Sequence, residues 1–219
     1  MSIEAEIPRG GASLRRLPLQ ARSREKVQRI LDAAAVLLIE IGYNAAVESP
    51  ALLIARAEVT QGTFYTYFPN CEAAMEMLSL KQLDRAVAIV DDVAGAPHAS
   101  WEDASDALLD AFAGFYADPV VRELWLNHHL TERALVLEDE ANDYISGRTA
   151  ELVERLSGGA LRGDARRSRV ATDIGDQLLR LAFRGDPAGD PALIEEARVA
   201  IRCYIASWDR PVGATGPGS

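Results

Sequence analysis

Hydrogen-bonding side chains without charge are concentrated in one short stretch of the chain, residues 61–67. They are the amide and hydroxyl side chains of Gln61, Thr63, Tyr65, Thr66 and Tyr67. Gly62 lies among them, and a residue without a Cβ lets another molecule approach the backbone closely. Amides and hydroxyls pair with base edges and with phosphate oxygens, so the stretch is suited to contact with DNA.

Two short helices joined by a tight turn are expected to position these side chains. Ser49 is placed to cap a helix that begins at Pro50, because proline has its φ preset and no N–H to leave unpaired. The turn falls at Glu58 and Val59, and Thr60 is the N-cap of the second helix. A helix, a short turn and a polar helix form a helix-turn-helix, whose second helix lies in the major groove of DNA.

A longer helix precedes this pair and is expected to support it. From Arg24 its apolar residues recur with the helical period, and they are Val27, Ile30, Leu31, Ala34, Leu37, Leu38 and Ile41. Gly42 is expected to end the helix, because glycine is common just past a helix end. Arg22, Arg24 and Lys26 lie at its start, and we predict that Arg22 and Arg24 contact DNA.

Four of the predicted contacts would position the protein on the DNA backbone. Thr60 would donate to a phosphate at a helix N-terminus, where the helix dipole favours anions. Ser49 would cap its helix and touch the duplex backbone. Tyr65 and Tyr67 are expected to be accessible and to hydrogen-bond phosphates, which sets the register of the protein without reading sequence.

The remaining contacts would read bases. Gln61 could pair bidentately with an adenine, and Thr63 or Thr66 could contact a thymine methyl or a base edge. Gly62 would allow the close approach that these contacts need. The aromatic residues Phe64 and Phe68 are expected in the core of the helix-turn-helix domain, here called the head, rather than against the DNA.

At these residues the chain resembles the TetR family of bacterial transcriptional regulators. The resemblance depends on Gly42-Tyr43, on the run AEVTQGTFYTYF over residues 57–68, and on the Pro69 and Glu72 that follow. It covers about residues 24–78, roughly a quarter of the chain, and its GTFYxYF core is highly specific. Beyond it, the chain resembles the family in length and helical pattern.

Several residues depart from the family pattern. Glu58 stands where a turn glycine is usual, so a left-handed residue there would carry side-chain strain. Gln61 and Cys71 replace two usual lysines, and the link around residues 46–48 is about two residues longer. These departures motivate a rival hypothesis, in which the head has lost DNA binding and the chain is a helical ligand-binding or scaffold dimer.

The rest of the chain predicts an all-α fold of about nine helices. We expect a disordered basic arm over residues 1–21 and a helix-turn-helix DNA-binding domain over residues 22–69. A ligand-binding and dimerisation domain is predicted over residues 70–210 and a flexible tail over 211–219. The last two helices each have more apolar surface than one neighbour needs, which favours a homodimer held by a four-helix bundle.

Charge is distributed unevenly along the chain. Residues 1–29 contain seven basic and three acidic residues, a net charge of +4, which leaves −14 for the remainder of a chain whose total is −10. A basic arm before an acidic body is typical of a DNA-binding protein with a separate regulatory domain, although a solubilising tail would give a similar charge distribution.

Composition and cysteine usage indicate a cytoplasmic protein. The two cysteines, Cys71 and Cys203, lie far apart, so a disulfide framework is not expected. The N-terminus lacks the apolar core of a signal peptide, and no apolar run approaches about 18 residues, so we expect no membrane span. A redox-sensing role of Cys71 is the alternative to two free thiols.

Nothing in the sequence predicts an enzyme or a cofactor. There is no P-loop, no G-x-S-x-G and no H-E-x-x-H, and the carboxylates are spread over helix faces. His128, His129 and Glu132 could supply two or three metal ligands, but a metal site needs a fourth. A helical-bundle enzyme is the third and weakest hypothesis.

The resemblance implies how the molecule would work. Family members are generally dimers in which two heads read a palindromic operator and a small molecule in the C-terminal domain changes head separation. It implies a mostly apolar ligand enclosed by aromatic and polar residues, which here are Phe112, Phe115, Tyr116, Trp125, His129 and Tyr144. Ordinary core packing is the alternative for each of them. The resulting prediction is a ligand-responsive transcriptional regulator, most simply a repressor.

Overall fold

The computed structural model describes residues 21–209, with side chains from Ser23 onwards. The predicted tail over residues 211–219, the predicted arm except for Ala21, and the Arg22 side chain lie outside the described residues. Nine α-helices and no strand occur between residues 21 and 209, so the predicted all-α fold is confirmed. The helices are α1 (Ala21–Val47), α2 (Pro50–Arg56), α3 (Gln61–Tyr67), α4 (Cys71–Gly95), α5 (Trp101–Ala117), α6 (Pro119–Val121), α7 (Glu132–Leu156), α8 (Ala165–Gly185) and α9 (Pro191–Ala206).

The chain forms two compact units. Of the described residues, unit 1 contains residues 21–85 and Asp118–Glu138, and unit 2 contains Ala86–Ala117 and residues 139–209. The long helices α4 and α7 each contribute residues to both units. These units divide the chain by packing alone, and the functional boundary between residues 69 and 70 stays a prediction.

Helix α1 is broken at Gly42, as its glycine predicts, but helical structure resumes beyond the break. Gly42 has φ 77° and ψ 166°, values outside the helical region, and Tyr43 to Val47 form a further helical turn. Only a residue without a Cβ adopts such a backbone readily. The expectation of a non-helical link after Gly42 is therefore wrong.

One described helix, Ser23–Val47, is long and apolar enough to cross a membrane by length and composition alone. The expectation that no stretch would meet this measure is wrong, because residues 30–47 contain only two charged side chains, Asp32 and Glu40. Ile30, Ala34 and Leu37 on one face have no exposed surface, since they are packed inside unit 1. The helix is thus a core helix of unit 1.

A short π-helical turn, Arg122–Leu126, follows α6. The turn ends before His128, whose φ of 59° is left-handed. It buries Leu124 and Trp125 in unit 1. The wider π turn shifts the register of the side chains after it, which periodicity alone does not show.

Unit 2 has its own apolar core, to which helices α5, α7, α8 and α9 contribute residues. The core consists of Val153, Leu161, Ala171, Ile205 and Trp208, with Trp101, Ala150, Ile201 and Tyr204 packed against it. Asp164 and Asp190 are the N-caps of α8 and α9, since their carboxylates accept from Arg167 N at 2.8 Å and from Ala192 N at 2.9 Å.

Candidate nucleic-acid interface

Thr60 caps the polar helix α3 as its sequence predicts. Its Oγ1 accepts a hydrogen bond from the backbone N–H of Thr63 at 3.1 Å, and its φ and ψ are extended. Ser49 precedes α2, but its side chain makes no capping hydrogen bond, so the predicted cap is wrong there. The carbonyl of Ser49 accepts instead from the N–H groups of Leu52 and Leu53, both at 3.1 Å.

The turn between α2 and α3 contains a left-handed residue that is not glycine. Glu58 has φ 51°, which confirms the conformation expected at this position. The guanidinium of Arg29 in α1 donates to the backbone carbonyl of Glu58 at 3.4 Å. The guanidinium of Arg56 donates to both carboxylate oxygens of Glu40, at 3.0 and 2.6 Å. These contacts tie α2 and the turn to α1.

Aromatic residues pack the inner face of α3 against the rest of unit 1. Phe64 and Phe68 have no exposed surface, as predicted, and their ring centroids lie 5.9 Å apart. Tyr67 is only 8% exposed, so the expectation that it is an accessible side chain is wrong. It lies three residues after Phe64 on the same helical face, which turns it inward. Its contact with a phosphate stays a prediction.

The outer face of α3 is polar, uncharged and open. Gln61, Gly62 and Thr66 are exposed, while Thr63 and Tyr65 are half-buried. A Cβ placed at Gly62 would meet no atom within 4 Å, so packing does not require glycine there. The face therefore offers an amide, hydroxyl and methyl groups, and the exposed backbone of Gly62, to a partner outside the chain.

Most of the hydroxyl groups on this face are already hydrogen-bonded within the helix. Thr66 Oγ1 donates to the carbonyl of Gly62 at 2.6 Å. Thr60 Oγ1 and Thr63 Oγ1 lie 2.9 Å apart and share a hydrogen bond. These bonds set which atoms of the threonines can reach another molecule.

Basic residues of the head are fewer around α3 than its resemblance to other regulators implies. Arg24 is half-buried and Lys26 is exposed at the start of α1. Cys71, where a lysine is usual, is 2% exposed. Burial, and after it the carboxylate of Glu72, raises the pKa of the Cys71 thiol, so the reactive thiolate is disfavoured. This environment does not favour the redox alternative.

Glu123 in the π turn is a residue that the sequence did not single out. Its Oε1 accepts from the N–H of Tyr43 at 3.2 Å, the first backbone donor after the break at Gly42. Its Oε2 accepts from the side-chain amide of Asn127 at 2.6 Å. The break at Gly42 is the only sequence signal for such an acceptor, and the acceptor itself lies 80 residues away.

Tyr43 and His129 lie against each other beside Glu123. Their rings stack with centroids 4.4 Å apart and planes 4° from parallel. Burial, followed by the carboxylates of Glu72 and Glu76, raises the pKa of the Tyr43 phenol. Within residues 21–209, no group of three or more histidine, cysteine or acidic side chains is arranged to hold a metal ion.

Three residues of the predicted ligand set cluster on α5 in unit 2. Phe115 and Tyr116 are each 3% exposed, and Phe112 is half-buried beside Phe115. Tyr116 donates to the carboxylate of Asp176 in α8, which also accepts from Arg180 Nε at 2.7 Å. The cluster therefore combines aromatic rings with a largely buried ion pair.

The other three residues lie elsewhere. Trp125 and His129 belong to unit 1, where Trp125 Nε1 donates to Glu138 at 2.8 Å. Tyr144 belongs to unit 2, is 44% exposed and donates to Asp91 at 2.9 Å. The six residues are thus divided between two compact units, and their assignment to one ligand site stays a prediction.

Sequence comparison matches two parts of the chain to known domains. A family model described as "Bacterial regulatory proteins, tetR family" matches residues 30–76, and one described as "Tetracyclin repressor-like, C-terminal domain" matches residues 99–207. The first match contains α2, the turn and α3. No curated protein sequence matches the chain significantly.

Solved structures share the fold over most of their length. A TetR-family transcriptional regulator from Streptomyces coelicolor is 29% identical, with a TM-score of 0.58 over 84% of this chain and 99% of that chain. The TetR-family regulator PfmR from Thermus thermophilus is 20% identical, with a TM-score of 0.57 over 84% and 97%. The multidrug binding protein EbrR, complexed with imidazole, is 22% identical, with a TM-score of 0.59 over 87% and 97%.

Proposed function

The chain belongs to the TetR family of bacterial transcriptional regulators, which bind DNA through a helix-turn-helix, and we propose that it acts as a repressor released from its operator by a small, mostly apolar molecule. The observation that carries this proposal is the outer face of α3. It is uncharged, hydrogen-bonding and exposed at Gln61 and Thr66, while Phe64 and Phe68 hold the opposite face in the core. Such a face suits the floor of a major groove.

We infer that the repressor is a homodimer on a palindromic operator. One seven-residue helix makes few base contacts, so two heads about one helical turn of DNA apart, roughly 34–36 Å, must combine theirs. Helices α8 and α9 pack on each other and still expose Val170, Leu181 and Val199, between 37% and 49% each. These side chains support pairing with the same helices of a second copy.

The effector is inferred from chemistry and from one relative. Phe112, Phe115 and Tyr116 supply aromatic surface beside the paired Asp176 and Arg180, which suits a mostly apolar molecule with a polar group. EbrR, a multidrug binding protein of the same fold, was crystallised with imidazole. An effector that favours one dimer shape would shift operator affinity by its difference in affinity for the two shapes. We expect no catalytic activity, no cofactor, no membrane association, and action in the cytoplasm.

Binding to genomic DNA fragments tests the proposal. The purified protein is expected to retard one or a few specific fragments at low salt, above its uniform background. A Gln61→Ala, Thr63→Ala double variant should abolish that specific retardation, while Ile39→Ala, an exposed residue of α1 in the same unit, should leave it unchanged. Equal retardation of all fragments, or specific retardation that the double variant preserves, would contradict the proposal.

A head without DNA binding is the second candidate, and Glu58 favours it. The carboxylate of this exposed residue lies next to the start of α3, and phosphates would repel it. In that case the protein retards no fragment specifically, yet it still dimerises. The same fragment assay distinguishes the two candidates.

A further inference from the structure

We propose that α3 reads A·T base pairs, with the methyl group of Thr66 on a thymine methyl and the amide of Gln61 on an adenine. This inference rests on the proposed function, because it names the class of operator that the same helix recognises. It follows from which atoms of the outer face are still available to a partner.

The hydroxyl of Thr66 is occupied within the helix. A hydroxyl has one proton, and Thr66 Oγ1 gives it to the Gly62 carbonyl at 2.6 Å, four residues back. With Oγ1 turned onto its own backbone, the methyl group is the remaining large substituent on Cβ. Since Thr66 is exposed, that methyl forms the apolar surface that a base would meet. A threonine methyl against the C5-methyl of thymine is a known direct contact.

The hydroxyls of Thr60 and Thr63 are engaged with each other. Their oxygens lie 2.9 Å apart, and Thr60 Oγ1 also accepts the N–H of Thr63 at 3.1 Å. One of their two protons is thereby used. The other serves a phosphate if it remains on Thr60, at the helix N-terminus. Two of the three threonine hydroxyl protons on this face are thus used within the helix.

Gln61 is the side chain that keeps its full hydrogen-bonding capacity. It is exposed, and none of its polar atoms is bonded to another described residue. A glutamine amide pairs bidentately with N6 and N7 of adenine in the major groove. Helix α3 contains no arginine or lysine, which make the commonest contact to guanine. The available groups therefore match adenine and thymine.

Gly62 allows the helix to sit deep enough for a methyl contact. A Cβ there would meet no protein atom within 4 Å, so the space above it is open on the outer face. Gly62 lies between Gln61 and Thr63 and one helical turn before Thr66. Close approach of the backbone at this point brings a short side chain such as threonine within reach of the groove floor.

Operators in which one functional group of a single base is changed test the inference. An operator found in the fragment assay is prepared with each thymine replaced in turn by deoxyuridine, which removes only the C5-methyl. At one thymine per half-site, the dissociation constant measured by fluorescence anisotropy should rise about fourfold, the factor that burial of one methyl group corresponds to. Replacing one adenine by 7-deazaadenine should weaken wild-type binding and leave the Gln61→Ala variant unaffected.

Two variants of Thr66 separate its methyl from its hydroxyl. Thr66→Val keeps a methyl surface and should retain the loss caused by deoxyuridine. Thr66→Ser keeps the hydroxyl and should bind thymine and deoxyuridine operators equally. Thermal unfolding followed by circular dichroism verifies that both variants are folded.

The possible outcomes distinguish a failure of this inference from a failure of the proposed function. Specific operator binding without any effect of deoxyuridine, or an undiminished effect in Thr66→Ser, would overturn the methyl contact and leave the repressor proposal standing. Absence of any specific fragment at low salt would overturn the proposed function itself.

Discussion

At the scale of single residues, Glu58 is one of two described non-glycine residues with a left-handed backbone, the other being His128. The φ of Glu58, 51°, lies in the left-handed region, which costs a residue with a Cβ about 1–2 kcal/mol. The turn needs this conformation because α3 must leave α2 sharply. Arg29, which donates to the Glu58 carbonyl at 3.4 Å, holds the turn in place.

Glu58→Gly is expected to stabilise the protein. Glycine adopts the left-handed conformation without the Cβ clash, although it loses about 0.5–1 kcal/mol more entropy on folding, so the net gain is up to about 1 kcal/mol. The free energy of unfolding from urea titration measures it.

Glu58→Ala is the control for charge at the same position. Alanine removes the carboxylate but keeps the Cβ, so this variant should gain no stability. Both variants should bind the operator more tightly at low salt, because each removes a negative charge beside the DNA. If Glu58→Ala stabilises as much as Glu58→Gly, the strain at this turn is not the cause.

At the scale of elements, the break in α1 is coupled to the π turn. Helix restart at Tyr43 leaves backbone N–H groups without intrahelical acceptors, as at any helix start. Glu123 supplies an acceptor to the first of them at 3.2 Å. A residue of the π turn thereby acts as the cap of a helix far away in sequence, and it fixes the segment that leads into α2.

Glu123→Ala is expected to destabilise the protein by about 1–3 kcal/mol, because the partly buried N–H of Tyr43 loses its acceptor. Glu123→Gln should cost less, since its amide oxygen can accept the same hydrogen bond. Urea unfolding of both variants gives the comparison.

Glu140→Ala, an exposed glutamate on α7, serves as the matched control and should change stability by less than about 0.5 kcal/mol. Operator affinity should fall further in Glu123→Ala than in Glu123→Gln. Equal stability of Glu123→Ala and the control would show that water replaces the carboxylate.

At the scale of the whole molecule, the proposed second copy would cover the exposed apolar side of α8 and α9. Val170, Ile174, Leu178 and Leu181 recur at helical spacing on one side of α8, and that side stays partly exposed in the single chain, at 37% for Val170 and 43% for Leu181. Apolar side chains at helical spacing on a surface indicate an interface.

Leu181→Glu is expected to weaken the proposed dimer at least about 100-fold, because burial of an unpaired carboxylate costs several kcal/mol. Analytical ultracentrifugation over a concentration series measures the dimer dissociation constant. Operator binding should weaken with it, since a single head retains only its own contacts.

Leu135→Glu is the matched control for this change. Leu135 is 50% exposed on α7, as accessible as Leu181, but it lies outside α8 and α9. This variant should remain a dimer and bind the operator normally. Dissociation of both variants to the same extent, or of neither, would argue against α8 and α9 as the interface.

Much of the helix-turn-helix was predictable from local sequence. The cap at Thr60 and the burial of Phe64 and Phe68 depend on neighbouring residues and on helical spacing, so short-range rules are sufficient. The left-handed Glu58 was expected only from the glycine that is usual in the family at this position. The same rules failed at Ser49, whose side chain makes no capping hydrogen bond although its carbonyl accepts the first intrahelical bonds of α2. They also failed at Tyr67, because the depth of burial depends on what covers a face.

The sequence by itself determined the all-α fold, the position of the reading helix and the uncharged chemistry of its outer face, because these depend on residue type and local period. Only the tertiary structure decided that Glu123 caps α1 after Gly42, that the Thr66 hydroxyl is used within the helix, and that the predicted ligand residues fall in two units. Such contacts join residues far apart in the chain or choose one rotamer of several, and their free energies arise only when the helices are packed together.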